Sequence, residues 1–282
     1  MTLREAIAAA TACLTQEPAL QADATRDAEL LLLHTLTVPR TVLFTDPDRQ
    51  LTDPQRAAFE LAIGRRLARE PIQYITGVQE FYGLPLRVTP AVLIPRPETE
   101  LLVEGVLARL SGDLPLQLVD IGTGSGAIAI ALAAHLPMAE ITAVDLSPAA
   151  LDVARENAAT LGFGGRIRFV EADLLAALDP HQLFDAIVSN PPYIPELDRA
   201  TLHPQVRDYE PITALFAGHD GLDIYRRLIP QAFAALKPGG LLALEIGHGQ
   251  RAAIAALLSG WDEIEFLEDL QRIPRVALAR RG

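Results

Sequence analysis

The sequence contains a single cysteine, Cys13, among its 282 residues. One cysteine excludes an internal disulfide and is typical of proteins from a reducing compartment. No apolar run approaches the ~20 residues that a membrane-spanning helix needs. The first residues also lack the charged-then-apolar layout of a secretory signal. These absences predict a cytoplasmic protein without a membrane segment.

Positive charge is scarce as well, because 24 Lys and Arg residues stand against 36 Asp and Glu residues. Sequence-independent binding to nucleic acid needs a basic surface, so the formal net charge of -12 argues against direct nucleic-acid binding. The 6 histidines are scattered without metal-ligand spacing, and we therefore predict no metal site. The composition and spacing of residues do not determine the oligomeric state. Our prediction is a monomer.

The chain begins with a segment of helical character, residues 1–70, which we interpret as a separate domain. Thr2 and Glu5 have the spacing of a capping box before an alanine-rich run. A second helix is predicted from about Arg26 to Leu36, and a third begins after Thr52. Nothing in this segment has the pattern of a catalytic site.

Residues 71–95 have strand composition, and 96–282 alternate short apolar strands with helices. Ile72–Thr76 and Leu84–Val88 predict a β-hairpin that links two domains. The alternation after it indicates an α/β domain with an open, mostly parallel sheet. Its predicted strands are 116–121, 141–145, 166–170, 184–189, 241–246, 264–267 and 275–279, with the last two forming an antiparallel pair.

The tetrapeptide Asn190-Pro191-Pro192-Tyr193 directly follows the apolar strand 184–189. Proline cannot donate to a sheet ladder, so Pro191 and Pro192 end the strand and stiffen the backbone. Asn190 then offers a fixed carbonyl oxygen and amide, and Tyr193 supplies a flat ring. This combination predicts a site that holds a planar group bearing NH2.

A glycine-rich turn between the strand 116–121 and the next helix predicts a nucleotide site, because bare backbone can approach a ligand closely. Its residues are Gly122, Thr123, Gly124, Ser125 and Gly126. Asp145 ends the second strand, where an acid can accept from the ribose hydroxyls of NAD or of S-adenosylmethionine. Asp173 ends the third strand and could accept from the adenine amine, with Leu174 against the ring. A helix N-cap is an equally good interpretation of Asp173.

In a doubly wound sheet the first and fourth strands are neighbours, so their carboxyl ends share one crevice. The glycine-rich turn and the tetrapeptide 190–193 should therefore face each other. A dehydrogenase would need a proton donor for its hydride acceptor, and no His or Lys is placed for that role. The fourth strand thus favours methyl transfer over hydride transfer.

Asp120–Gly126 together with 190–193 resembles the class I S-adenosylmethionine-dependent methyltransferases that act on planar nitrogen. Two further segments, Pro71–Gly77 and Ile94–Glu100, make the chain similar to the PrmC/HemK family. That resemblance implies a Rossmann-like, mostly parallel seven-stranded sheet and a small helical domain that docks the substrate. It also implies S-adenosyl-L-methionine as cofactor. The family usually has an aromatic residue where this chain has Leu174.

The resemblance further implies a substrate, the Gln of the Gly-Gly-Gln motif in class 1 peptide chain release factors. Methylation of its side-chain amide nitrogen (N5) tunes translation termination. Asn190, Pro191, Pro192 and Tyr193 would then hold the acceptor and carry the catalysis, with Asn190 also beside the cofactor. Two alternatives remain open. One is an adenine or guanine methyltransferase with the same tetrapeptide, and the other is a nucleotide-binding regulatory module without catalysis.

Overall fold

The computed structural model describes all 282 residues, which divide into two compact units. The helical unit comprises Met1–Val78 and Thr201–Tyr209. The sheet unit comprises Gln79–Ala200 and Glu210–Gly282. No helix of either unit is long and apolar enough to cross a membrane.

The helices, in chain order, are α1 Leu3–Leu14, α2 Ala24–Leu36, α3 Val42–Thr45, α4 Asp53–Leu67, α5 Ile72–Thr76, α6 Pro97–Leu107, α7 Ala127–His135, α8 Pro148–Thr160, α9 Pro204–Tyr209, α10 Asp223–Ala235 and α11 Arg251–Leu257. Two 3-10 helices, Glu196–Thr201 and Ile212–Ala214, lie in the long connection after the fourth strand of the main sheet. The strands are β1 Val78–Phe81, β2 Leu84–Arg87, β3 Gln117–Ile121, β4 Glu140–Asp145, β5 Ile167–Glu171, β6 Phe184–Ser189, β7 Leu236–Glu245, β8 Asp262–Glu268 and β9 Pro274–Arg280.

Local capping determines where the helices of the helical unit begin. The capping box predicted at Thr2 and Glu5 is confirmed, and Thr52 with Gln55 forms a second box at the start of α4. The apolar faces of α1, α2 and α4 meet in one core. A buried ion pair, Arg66 to Asp27 at 2.7 Å, joins α4 to α2 inside this unit.

The strand predicted at Ile72–Thr76 is wrong, because these residues form the short helix α5. Ile and Thr favour strands by composition, yet a helix begins directly after Pro71. This helix ends at Gly77, whose φ of 77° lies in the left-handed region. The hairpin instead consists of β1 and β2, which form a two-stranded sheet of their own.

The main sheet has seven strands in the order β5-β4-β3-β6-β7-β9-β8. The first five of these run parallel to one another. The strand β9 is antiparallel to both of its neighbours, β7 and β8, and the antiparallel pairing of the last two strands is the one that the sequence predicts. The strand β3 lies between β4 and β6, so the sequence order reverses at the β3–β6 pair. Ile121 pairs with Ser189 in that register. The glycine-rich turn and the tetrapeptide 190–193 therefore leave the sheet side by side, which confirms the predicted neighbour relation.

Both faces of the central strands are buried, which explains their continuous apolar sequences. Along β3, Leu118 and Val119 belong to two different cores, one on each side of the sheet. Ala186 and Ile187 of β6 divide in the same way. Because successive side chains point to opposite faces, two apolar layers hold the central strands rigid beneath the loops at their carboxyl ends.

Candidate active site

The glycine-rich turn between β3 and α7 uses three glycines at positive φ. Gly122, Gly124 and Gly126 have φ of 71°, 55° and 83°, a region that residues with a side chain rarely adopt. A Cβ on Gly122 or Gly124 would meet no atom within 4 Å, whereas on Gly126 it would lie 3.1 Å from Ile130 Cδ1. The first two glycines therefore expose backbone, and the third allows close packing of α7.

A cavity of about 420 Å³ opens beside this turn, within the sheet unit. Most of the predicted site residues line it, namely Gly122, Thr123, Gly124, Ser125, Asp145, Asp173, Leu174, Asn190, Pro191 and Pro192. The other two, Gly126 and Tyr193, do not line it. Gly126 is packed against α7 and α8, and the Tyr193 side chain bonds the buried Glu245. The topology thus brings the two predicted halves of the site to one cavity.

Asp145, at the end of β4, holds the glycine-rich turn in place. Its Oδ2 accepts from the Gly124 N–H and its Oδ1 from the Ser147 N–H, both at 2.9 Å. Burial raises the pKa of Asp145, and these backbone hydrogen bonds oppose the rise. Each carboxylate oxygen has further acceptor capacity, so the side chain can also bind hydroxyls in the cavity.

Asp173 and Leu174 follow β5 and also line the cavity. Asp173 forms an ion pair with Arg227 of α10 at 2.6 Å, and no helix begins at it, so the N-cap interpretation is wrong. Leu174 adopts φ of 55°, a strained conformation for a residue with a side chain. It is buried and packs into the core beneath the cavity. Packing of the Leu174 side chain in this core therefore holds its backbone in the left-handed conformation.

Asn190 has an asymmetric environment. Its Nδ2 donates to Thr99 Oγ1 at 3.1 Å, whereas its Oδ1 has no hydrogen-bond partner in the protein. The preceding residue, Ser189, donates its hydroxyl to the Ile121 carbonyl at 2.7 Å and joins the ends of β6 and β3. Asn190 thus presents a free acceptor on a rigid support at the wall of the cavity.

Tyr193 is held by the last residue of β7 and by the segment that follows this strand. Its hydroxyl donates to Glu245 Oε1 at 3.3 Å, and its carbonyl accepts from Gln250 Nε2 at 3.0 Å. A Cβ on Gly247 would lie 2.9 Å from Tyr193 Cδ2, so glycine is needed there. Burial and the Glu245 charge raise the pKa of the Tyr193 phenol, which stays protonated and donates.

Two buried acids have an unpartnered oxygen, Asp120 Oδ1 and Glu245 Oε2. The other oxygen of Asp120 accepts from the Thr123 hydroxyl at 2.6 Å and from the Ala129 N–H at 3.2 Å. Burial raises the pKa of each carboxyl to about 7. Glu245 was missed in the sequence, although an acid inside the apolar run 241–246 is a usable signal.

Three other groups near the site were not predicted as site residues. Thr99 of α6 and Arg96 line the cavity. Arg96 donates to the buried Glu210 at 2.5 Å, and Glu210 also accepts from the Ile94 N–H. These contacts hold the segment before α6 against the chain that follows Tyr209. No group of three or more His, Cys, Asp or Glu side chains is arranged to hold a metal ion.

Comparison with known proteins agrees with this geometry. Residues 5–77 match the PrmC N-terminal domain and residues 97–204 match the methyltransferase small domain. The chain is 44% identical over 284 residues to the release factor glutamine methyltransferase of Deinococcus radiodurans, covering 100% of this chain and 99% of that protein. The protein of the same name from Koribacter versatilis is 46% identical over 254 residues, 90% of each chain. This chain belongs to the release factor glutamine methyltransferase family.

A solved structure agrees with the family fold. The ribosomal protein L11 methylase of Lactobacillus delbrueckii subsp. bulgaricus superimposes with a TM-score of 0.51 and 27% identity, over 70% of this chain and 86% of that one. The sheet unit of this chain is therefore a class I methyltransferase domain, as the sequence predicts. Its seven strands and helical N-terminal region match the predicted fold class.

Proposed function

We propose that this protein transfers a methyl group from S-adenosyl-L-methionine to the side-chain amide nitrogen of the Gln in the Gly-Gly-Gln motif of class 1 release factors. Membership of the release factor glutamine methyltransferase family supports the proposal. The observation that carries it within the structure is Asn190, with its amide donating to Thr99 and its Oδ1 free at the cavity wall.

The residues of the cavity fit the cofactor. Gly122 and Gly124 expose backbone beside open space, which suits close approach of a ligand. Asp145 would accept from the ribose hydroxyls and Asp173 from the adenine amine, with Leu174 against the ring. All three residues line the cavity. When bound there, S-adenosyl-L-methionine supplies an electrophilic methyl group on a sulfonium.

The tetrapeptide 190–193 would hold the acceptor amide, which is a poor nucleophile because its lone pair is delocalised into the carbonyl. Asn190 Oδ1 and the Pro191 carbonyl would each accept one hydrogen of the substrate NH2. Tyr193, whose ring does not line the cavity, would hold the tetrapeptide in place through its bonds to Glu245 and Gln250. These acceptors orient the nitrogen and stabilise positive charge that develops on it. Fixing the reacting groups in line contributes about 7 kcal/mol when the fit is good. No strong base is needed, since the methylated amide nitrogen loses its proton readily.

The helical unit has no catalytic constellation, and we propose that its residues 1–70 dock the release factor. The match of residues 5–77 to the PrmC N-terminal domain supports a family-specific role for this region. A reducing cytoplasm suits a chain whose one cysteine, Cys13, is free.

The deciding experiment incubates the protein with labelled S-adenosyl-L-methionine and either a release factor or its Gln→Ala variant in the Gly-Gly-Gln motif. Label should appear on the unaltered factor alone. Equal labelling of the Gln→Ala variant would contradict the glutamine assignment, and no labelling of either would contradict the substrate class.

A further inference from the structure

The side chain of Gln250 joins three backbone segments of the sheet unit, just beyond the end of β7. Its Nε2 donates to the Tyr193 carbonyl at 3.0 Å and to the Gly221 carbonyl at 3.3 Å, and its Oε1 accepts from the Gly247 N–H at 2.9 Å. Both amide hydrogens are therefore used by backbone carbonyls of two different loops. Gln250 does not line the cavity, so these bonds, and not contact with a ligand, are what the side chain supplies.

Two glycines allow the three segments to approach this side chain. A Cβ on Gly221 would lie 2.2 Å from the Tyr193 carbonyl oxygen and 2.9 Å from Gln250 Nε2. A Cβ on Gly247 would lie 2.8 Å from Gln250 Oε1 and 2.9 Å from Tyr193 Cδ2. Because these separations are too short for a side chain, both positions require glycine, and the segments pack at the distance of bare backbone.

The peptide unit between Tyr193 and Ile194 is bonded at both of its polar groups. Gln250 binds its carbonyl, and its N–H donates to the Leu215 carbonyl at 2.9 Å. The Ile194 carbonyl in turn accepts from the Ala217 N–H at 3.0 Å. The chain that leaves the tetrapeptide is therefore fixed in orientation as well as in position.

The two prolines of the tetrapeptide carry this constraint towards the cavity. The rings of Pro191 and Pro192 fix their φ angles, and the second proline also restricts ψ of the first. Neither residue has an N–H, so neither can donate to the protein to hold itself in place. At the other end, Ser189 is paired with β3 and β7 in the sheet. The orientation of the Pro191 carbonyl thus depends on the two ends between which the prolines are held.

We propose that Gln250 is a positioning residue of the acceptor site, which holds the far end of the tetrapeptide so that the Pro191 carbonyl keeps its place. Pro191 lines the cavity and Gln250 does not, so Gln250 acts through the backbone of 191–193. The inference rests on the proposed function, in which the Pro191 carbonyl accepts one hydrogen of the substrate NH2. A glutamine amide suits this position because it donates twice and accepts from one plane, whereas an ionised carboxylate only accepts.

The kinetic test compares Gln250→Glu and Gln250→Met with the unaltered full-length protein. Gln250→Glu keeps the acceptor for the Gly247 N–H but loses both donors, and Gln250→Met removes every hydrogen bond at similar length. We expect both variants to lower kcat by about tenfold or more, since small misplacements of reacting groups reduce rates strongly. KM for the release factor should change less than kcat. Affinity for S-adenosyl-L-methionine, measured by calorimetry, should stay unchanged because Gln250 does not line the cavity.

Two further variants separate position from charge. Gln182→Glu introduces the same charge before the opposite end of β6, where Gln182 accepts from Arg168 at 3.4 Å, and it should keep the full kcat. Gly221→Ala places a Cβ against the Tyr193 carbonyl without altering Gln250, and it should lower kcat as the Gln250 variants do. A folded Gly221→Ala protein with full kcat would contradict the proposal.

Amide exchange gives a readout that needs no substrate. Isotope labelling of tyrosine carbonyl carbons and isoleucine nitrogens marks the Tyr-Ile pairs of the sequence, Tyr74–Ile75 and Tyr193–Ile194. Exchange at Ile194 should become about tenfold faster or more in Gln250→Glu and Gln250→Met. Ile75 bonds the Pro71 carbonyl in the helical unit and should exchange as in the unaltered protein.

The exchange rates keep the inference distinct from the proposed function. If the unaltered protein methylates no release factor, the proposed function fails, and exchange at Ile194 still shows whether Gln250 fixes the tetrapeptide. Unchanged exchange at Ile194, or a folded Gln250→Met protein with full kcat, would overturn the positioning role. A loss of cofactor affinity as large as the loss of kcat would also overturn it, since the whole cavity would then have changed.

Discussion

Asn190 combines two functions in one side chain, a donor committed to Thr99 and an acceptor that no protein group uses. Asn190→Ala removes both, and the lost interaction strengthens as charge develops on the substrate. We expect the single-turnover rate to fall by about 100-fold or more, as on deletion of an oxyanion-hole donor, with a smaller effect on substrate binding. Rate and thermal stability are measured on the same sample.

The matched control for that variant is Asn157→Ala, the other asparagine of the chain. Asn157 bonds both backbone groups of Arg87 and the Ser125 carbonyl, so its loss should lower the melting temperature more than the rate per folded molecule. An Asn190→Ala protein that loses stability but keeps its rate would show that Asn190 only closes a turn.

Asp145 carries the second residue-scale prediction. Asp145→Ala removes the expected ribose contact and the hydrogen bond that holds Gly124. We expect affinity for S-adenosyl-L-methionine to fall about tenfold or more, since hydrogen bonds to charged groups contribute ~1.5–3 kcal/mol. Calorimetry checks this, with Asp152→Ala, an exposed acid of α8, as the control that should bind normally. Unchanged affinity in Asp145→Ala would rule out the ribose role.

At the scale of elements, the turn between β3 and α7 depends on Gly126, where positive φ and close packing coincide. A Cβ there would lie 3.1 Å from Ile130 Cδ1 and 3.2 Å from Ala154 Cβ, so Gly126→Ala should destabilise the fold by about 1–3 kcal/mol. Gly64→Ala within α4 meets no atom within 4 Å and should stabilise by ~0.5–1 kcal/mol. Denaturant unfolding measures the free energy of unfolding of both variants. Equal changes in the two variants would contradict the role of Gly126 in this turn.

At the scale of the whole molecule, the two buried carboxyls predict how stability depends on pH. Burial raises the pKa of Asp120 from 3.8 and of Glu245 from 4.5 to about 7. Between those limits the folded protein binds more protons than the unfolded chain, so these groups contribute stability that is lost as pH rises to about 7. Urea midpoints across this range should fall less steeply for Glu245→Gln than for the unaltered protein. Parallel curves would contradict the assignment.

The division into two units gives the last prediction. A chain that starts at Gln79 keeps the buried Phe81 and the whole sheet unit sequence. We expect it to bind S-adenosyl-L-methionine but to lose methylation of the intact release factor, because residues 1–70 are proposed to dock it. Calorimetry and the labelling assay separate the two properties. Full-rate methylation by the shortened chain would contradict the docking role.

Local patterns in the sequence were enough to predict the seven strands, the switch between β3 and β6 and the glycine-rich turn. These features follow from apolar periodicity and from the conformational limits of Gly and Pro, which act within a few residues. The same local reasoning failed at Ile72–Thr76, where strand composition gave way to a helix between Pro71 and Gly77.

Only the tertiary structure decided which side chains meet at the site. Asn190 reaches Thr99 across 91 positions and Tyr193 reaches Glu245 across 52. Asp173 bonds Arg227 across 54 positions and caps no helix. Such pairs depend on the packing of α6, α10 and β7 against the sheet, and a linear pattern does not contain the direction of a side chain. Local periodicity thus determined the fold of the sheet unit, while packing between distant elements determined the hydrogen bonds that orient Asn190.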